Sequence, residues 1–281
     1  MKNTYLVVLG FLGLFFFPFW VVGQDADVEE NDQPRWSLFA EWRTYNSFSQ
    51  QNNEVPMKAG YPVIQAQMPA FGVCYRLPFP NARHQFNLSF GLPAGLDSDD
   101  GTGENQLLRE SLMGYYRAGL GYHLTFPLFK WRRLSVRHGG TSGLLYEYRS
   151  LEYLSGAREK ARDINMYLGP ALYLNYHLNE KWSLHGGFDA RFYLPYINLG
   201  KLVARDTEGR IVFSSDYRGF YYQTVFSLEA AYRLPSQGRL KAGIRKNDLV
   251  GFAGRNPSFV VDDIIHFKLD RMVHYYIEYQ F

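Results

Sequence analysis

The sequence predicts an all-β chain, a transmembrane antiparallel up-and-down β-barrel of about ten strands, with about 8–12 compatible. Three observations predict it. Apolar and polar residues alternate with period two in ten separate segments after Trp36. The connections between these segments alternate between short and long. No stretch after residue 23 is apolar over the ~18 residues that a helical span requires.

The segments follow in order. Trp36 to Tyr45 sets Trp36, Leu38, Ala40 and Trp42 against Ser37, Glu41 and Arg43. Gln67 to Leu77 sets Phe71, Val73, Tyr75 and Leu77 against Gly72, Cys74 and Arg76. The third segment opposes Phe86, Leu88, Phe90 and Leu92 to Asn87, Ser89 and Gly91. In the fourth, Tyr116, Ala118, Leu120 and Tyr122 face away from Arg117, Gly119, Gly121 and His123. The fifth, about Leu134 to Tyr148, carries Gly139-Gly140, where a bulge or bend is expected. The sixth opposes Met166, Leu168, Leu172 and Leu174 to Asn165, Asn175 and His177. The seventh opposes Trp182, Leu184, Phe188 and Phe192 to Ser183, His185, Asp189 and Arg191. The eighth opposes Tyr222, Phe226, Leu228 and Tyr232 to Gln223, Ser227, Glu229 and Arg233. The ninth is short, with Leu240, Ala242 and Ile244 against Lys241 and Arg245. The tenth sets Val273, Tyr275, Ile277, Tyr279 and Phe281 against His274, Tyr276, Glu278 and Gln280.

Short turns are expected at 78–83, 126–133, 179–181 and 235–238, and long polar loops at 46–64, 93–110, 149–163, 195–218 and 246–263. Short turns on one side and long loops on the other are the asymmetry of barrels that cross an outer membrane. Ten strands place both termini on the short-turn, periplasmic side. The aromatic share is high, at 17%, and the rings gather on the apolar face of each segment. A face of Trp, Tyr and Phe directed at lipid, with Gly, Arg, Glu and Asn on the other, fits a closed sheet around a crowded polar lumen. Register is then strongly set: a one-residue slip of the fourth segment turns Arg117 into lipid, at about 2–4 kcal/mol near the midplane.

The last residues, Tyr276-Ile277-Glu278-Tyr279-Gln280-Phe281, resemble the C-terminal signature of Gram-negative outer-membrane β-barrel proteins, in which alternating aromatic or apolar residues end on Phe. The resemblance implies that Tyr275, Ile277, Tyr279 and Phe281 are an insertion signal read by the barrel-insertion machinery. It implies delivery to the bacterial outer membrane and specifies no activity.

The N-terminus supports export. Lys2 precedes an apolar run from Leu6 to Val22, and Val21-Val22-Gly23 offers a cleavage point before Gln24. Residues 1–23 are therefore expected to be a signal peptide, 24–35 an acidic periplasmic linker and 36–281 the barrel. The formal net charge of +3 is spread along the chain and gives no field for nucleic acid. The single cysteine, Cys74, excludes an internal disulfide framework.

The inward face is expected to carry Arg43, Arg76, Arg117, Arg137, Arg191, Arg233, Lys241, Arg245 and Lys268 opposite Glu41, Glu147, Asp189, Glu229, Asp270 and Glu278. Buried charges must pair, so a largely filled, charged lumen is the first expectation. A narrow channel with a slight positive excess, passing small anions, is the second. Size favours the first, because barrels of about eight strands are filled by side chains. Among the loops, Asp97, Asp99, Asp100 and Glu104 with neighbouring glycines are candidates for a hard cation such as Ca²⁺, though their spacing does not fit an EF-hand. Asp262 and Asp263 lie near His266, the residue types that barrel proteases of the omptin family carry at their outer rim; no motif matches, and no catalytic role is carried over. No cofactor motif is present. The expected partners are outer-membrane lipid, the insertion machinery and a protein bound through the extracellular loops.

Overall fold

The computed structural model describes residues 35–51, 63–79, 81–99, 111–152, 156–194, 199–235, 238–254 and 264–281. The expected signal peptide and almost all of the acidic linker lie outside the described residues. Among the described residues every regular element is a strand: β1 (Arg35–Gln51), β2 (Val63–Phe79), β3 (Ala82–Gly91), β4 (Ala94–Asp99), β5 (Ser111–Trp131), β6 (Leu134–Glu152), β7 (Arg158–His177), β8 (Trp182–Tyr193), β9 (Leu199–Arg205), β10 (Ile211–Arg233), β11 (Arg239–Gly254) and β12 (Ile264–Gln280).

The sheet closes on itself, because β1 pairs antiparallel with both β2 and β12. Twelve segments make ten walls. β3 and β4 both pair with β2 and β5, so they are two lengths of one wall, broken at Leu92-Pro93. β8 and β9 both pair with β7 and β10 and form a second interrupted wall. Proline explains the first break, since it has no N–H for the ladder. Among the described residues closure leaves no strand at a free sheet edge, as lipid requires.

The alternation read from the sequence has a clear direction. On β1, Trp36, Leu38, Ala40 and Trp42 are exposed, whereas Ser37, Glu41 and Arg43 are buried. The same sense holds on β12, where Tyr275, Ile277, Tyr279 and Phe281 point out and His274, Tyr276, Glu278 and Gln280 point in. The outward rings meet across strands with tilted planes: Phe188 and Phe226 at 4.9 Å, Phe192 and Tyr222 at 5.2 Å and Trp182 and Tyr232 at 4.8 Å between centroids. On β12 the apolar outward face runs from Val273 to Phe281 and stops at Arg271. At ~3.3 Å per residue and a ~40° tilt, that spans about 20 Å of bilayer, close to the ~25 Å apolar band of outer-membrane barrels.

Three expectations need correction. The Gly139-Gly140 bulge is absent: β6 pairs through both glycines without a shift, and the irregularity lies on β5 between Pro127 and Phe129. Gly139 serves a close approach instead, since a Cβ there would fall 1.9 Å from the carbonyl oxygen of Leu124. The ninth segment is not short, because β11 runs from Arg239 to Gly254. The long loops are also shorter than expected where they are described. β6 and β7 stay paired to Glu152 and Arg158, and β9 returns to β10 through residues 206–210. That turn is built by Asp206, whose carboxylate accepts the backbone N–H groups of Glu208 (3.0 Å) and Arg210 (2.8 Å), and by Gly209 at φ 83°. Strands that rise beyond the lipid no longer need an apolar outward face, so their period-two signal vanishes and they read as loop.

Candidate functional site: the lumen and its rims

The inward side chains of the lower barrel form linked polar groups. Glu41 is one hub. Its carboxylate accepts Arg43 Nε at 2.7 Å and lies 3.1 Å from His274 Nδ1 and 3.5 Å from Arg245 Nη1. His274 Nε2 lies 3.0 Å from the Asn247 amide nitrogen. A second group pairs Arg76 with Glu278 at 2.6 Å and with Gln85 at 3.1 Å. Beside it Glu229 accepts Lys241 at 3.1 Å and the Tyr276 hydroxyl at 2.7 Å. A third group holds Asp189 between Arg191 at 3.0 Å and the Tyr173 hydroxyl at 2.8 Å, with His123 Nδ1 2.7 Å from the same hydroxyl. Period two places these residues inward from nine different strands, and the cross-strand register brings them together.

The sequence expectation missed what lies beyond these groups. Two apolar clusters fill the barrel further from the short turns. One contains Tyr45, Met68, Tyr115, Leu151 and Met272. The other contains Leu145, Tyr167, Tyr193, Leu202, Tyr221 and Leu249. Tyr115 and Met68 are fully buried, and Tyr45 stacks on Tyr115 at 4.5 Å. Tyr193 donates its hydroxyl to Gln223 at 2.9 Å. The signal was present in the parity of each segment: Tyr45 follows Arg43 by two, and Met272 precedes His274 by two.

Charge is balanced inside the described barrel, away from its short-turn rim. Eight cations (Arg43, Arg76, Arg117, Arg137, Arg149, Arg191, Lys241 and Arg245) share the interior with eight carboxylates (Glu41, Glu147, Glu159, Asp163, Asp189, Glu229, Asp270 and Glu278). The expected positive excess is displaced to the periplasmic mouth, where Arg35, Arg83, Arg233 and Arg239 sit at strand ends. Arg233 is therefore a rim residue, exposed at the end of β10, and not a lumen charge. The Lys268 side chain lies outside the described residues.

The other candidates fall as follows. Asp97 and Asp99 belong to β4, but their side chains, with Asp100 and Glu104, lie outside the described residues. Among the described residues no group of three or more His, Cys, Asp or Glu could hold a metal ion. Asp262, Asp263 and the His266 side chain are outside them too. Tyr275, Ile277, Tyr279 and Phe281 form a continuous exposed apolar stripe, with Phe281 N–H donating to Trp36 O at 3.1 Å across the closing seam.

Among solved structures, the chain is similar to the outer membrane protease OmpT from Escherichia coli, at 9% identity and a TM-score of 0.52, covering 88% of this chain and 96% of that one. It is also similar to the Pseudomonas putida toluene transporter TodX, at 10% identity and a TM-score of 0.38, covering 89% of each chain. A third similarity is to the outer membrane protein OprG from Pseudomonas aeruginosa, at 10% identity and a TM-score of 0.37, covering 88% of this chain and 96% of that one. No protein-family profile matches the chain, and no curated protein matches it by sequence. At 9% identity the OmpT likeness establishes the fold alone. Together with the outward apolar band, it makes this chain an integral β-barrel of the bacterial outer membrane.

Proposed function

We propose that the barrel is a closed, non-conducting outer-membrane component that acts through its surfaces, as a surface-binding protein or as part of a larger membrane assembly. One observation carries this reading: the lumen is filled twice over. Balanced ion pairs occupy the lower half, and the apolar clusters around Tyr115 and Tyr193 cap them. A permeating anion would have to displace Tyr and Met side chains and then compete with the carboxylates that hold Arg43, Arg76, Arg149, Arg191 and Arg245. Among the described residues away from the short-turn rim, the equal count of inward cations and carboxylates weighs against anion selectivity, and with it against the narrow-channel alternative. Protein partners would meet the outer ends of β6–β7 and β9–β10, which stand clear of the membrane. The rim-hydrolase alternative rests on Asp262, Asp263 and His266, and gains no support from the described residues.

Planar-bilayer recording of the purified full-length protein tests the proposal. The expected record has no defined conductance steps at any holding potential. Uniform, repeatable steps that scale with anion concentration would replace this reading with the channel.

A further inference from the structure

The outward face of β7 changes character abruptly. From Tyr176 to Ile164 its outward residues are apolar; the next three outward positions are Arg162, Lys160 and Arg158, all exposed. β9 adds Lys201 and Arg205 on the same face, again exposed. The cross-strand register sets Arg162 directly opposite Lys201 and Arg158 opposite Arg205. Like charges directly opposite each other destabilise a sheet, so this arrangement calls for an anion. Among the described residues, this face of β6, β7, β9 and β10 carries two carboxylates, Glu152 and Asp216. Glu152 takes Arg158 at 3.4 Å, and Asp216 lies opposite Lys201. Among the described residues Arg162, Lys160 and Lys201 form no ion pair. By contrast, outward cations on the other side of the barrel share a carboxylate, with Lys246 2.9 Å and Arg271 4.0 Å from Asp248.

Just below the cations lies a groove in the outward wall. Pro93, at the break between β3 and β4, lines it with Tyr116, Tyr146, Tyr148 and Arg162. The Arg162 guanidinium lies 5.8 Å from the centre of the Tyr148 ring. Aromatic rings at the boundary with cations immediately above them match a lipid whose chains lie against the wall and whose headgroup is anionic.

We propose that this patch binds the phosphate of an anionic glycolipid in the outer leaflet, with Arg162 and Lys201 gripping the phosphate and Tyr116, Tyr146 and Tyr148 receiving the glycan-proximal chains. The site is lateral and independent of whether the lumen conducts. The test uses the full-length protein in detergent, with binding of bisphosphorylated lipid A followed by native mass spectrometry. The Arg162→Gln/Lys201→Gln variant is expected to bind at least about tenfold more weakly. An Arg132→Gln/Lys181→Gln variant at the opposite rim should bind like the parent. Dephosphorylated lipid A should bind the parent no better than it binds the patch variant. The proposal is overturned if the folded patch variant keeps parental affinity, or if the opposite-rim variant loses as much. It is also overturned if inorganic phosphate displaces the lipid at equal concentration, which would mark a free-anion site. Folding is checked by the heat-dependent gel shift. If the double variant does not fold, Lys160→Gln alone should weaken binding about threefold, and an unchanged affinity would refute the site.

Discussion

Removing the Glu41 carboxylate should be among the most damaging single changes in this barrel. Glu41 and Arg43 are almost completely buried, and the same carboxylate faces His274 and Arg245. Glu41→Ala would leave the Arg43 guanidinium without its anion in a region that water does not refill. Breaking a buried pair by deleting one partner costs about 3–5 kcal/mol. If the lumen were instead water-filled, Arg43 would be resolvated and the loss would fall to the ~0–1 kcal/mol typical of exposed pairs. The two outcomes differ enough to decide between a closed and an open interior. Guanidinium unfolding in lipid vesicles, followed by tryptophan fluorescence, reads the difference. With a slope of about 4 kcal/mol per molar, the midpoint should drop by about 1 M. Replacing Glu41, Arg43, Arg245 and His274 together with apolar residues of similar volume should recover most of the loss, because no charge of this group then remains unpaired. A midpoint for Glu41→Ala within about 0.2 M of the parent would refute the description of the lumen as a dry, paired network.

Two further outcomes follow from the direction of the strands. Phe226 points into lipid at the middle of the outward face of β10, half exposed and in tilted ring contact with Phe188; Phe226→Arg should cost about 2–4 kcal/mol in a refolding titration, while the adjacent inward change Val225→Ala should leave lipid insertion intact and show only a cavity cost. Cys74 points inward and is buried; a membrane-permeant maleimide should label it only as fast as the barrel unfolds, and rapid labelling of the folded protein would show that this part of the lumen is open.

Much of the fold was legible because lipid enforces a simple rule. Outward residues in the band must be apolar, so Trp36, Leu38, Ala40 and Trp42 announced both the strand and its facing. The rule fails where its cause ends. At Arg158 to Arg162 the strand continues into water, its outward face becomes cationic, and the same backbone read as a loop. β9 was invisible for a related reason, being seven residues long with Lys201 and Arg205 where apolar residues would stand inside the bilayer. The ionic groups were legible as a set of inward charges, yet their partners were not. Arg76 and Glu278 are 202 residues apart and meet only because the barrel closes β12 onto β1. The apolar clusters were missed because Tyr45, Tyr115 and Tyr193 share their parity with charged residues, and attention to charge hid the rings beside them.

The layering of the interior bears on how the protein could act. Each polar group is cross-strand: Glu41 of β1 joins β11 and β12, and Asp189 of β8 joins β5 and β7 through Tyr173 and His123. Such links tie non-adjacent walls together and resist ovalisation of the barrel. A wall interrupted at Pro93 would otherwise be free to splay, because β3 and β4 share fewer ladder bonds with β5 than a continuous strand would. Arg117 crosses from β5 to lie 3.5 Å from the Met272 sulfur of β12, so the interior bridges from the broken side to the closing seam. On the proposed reading, a barrel filled in this way would hold a binding surface at its outer end in a fixed orientation. Transport asks for the opposite, a lumen that can rearrange, and here rearrangement would have to break several buried ion pairs in different walls at once.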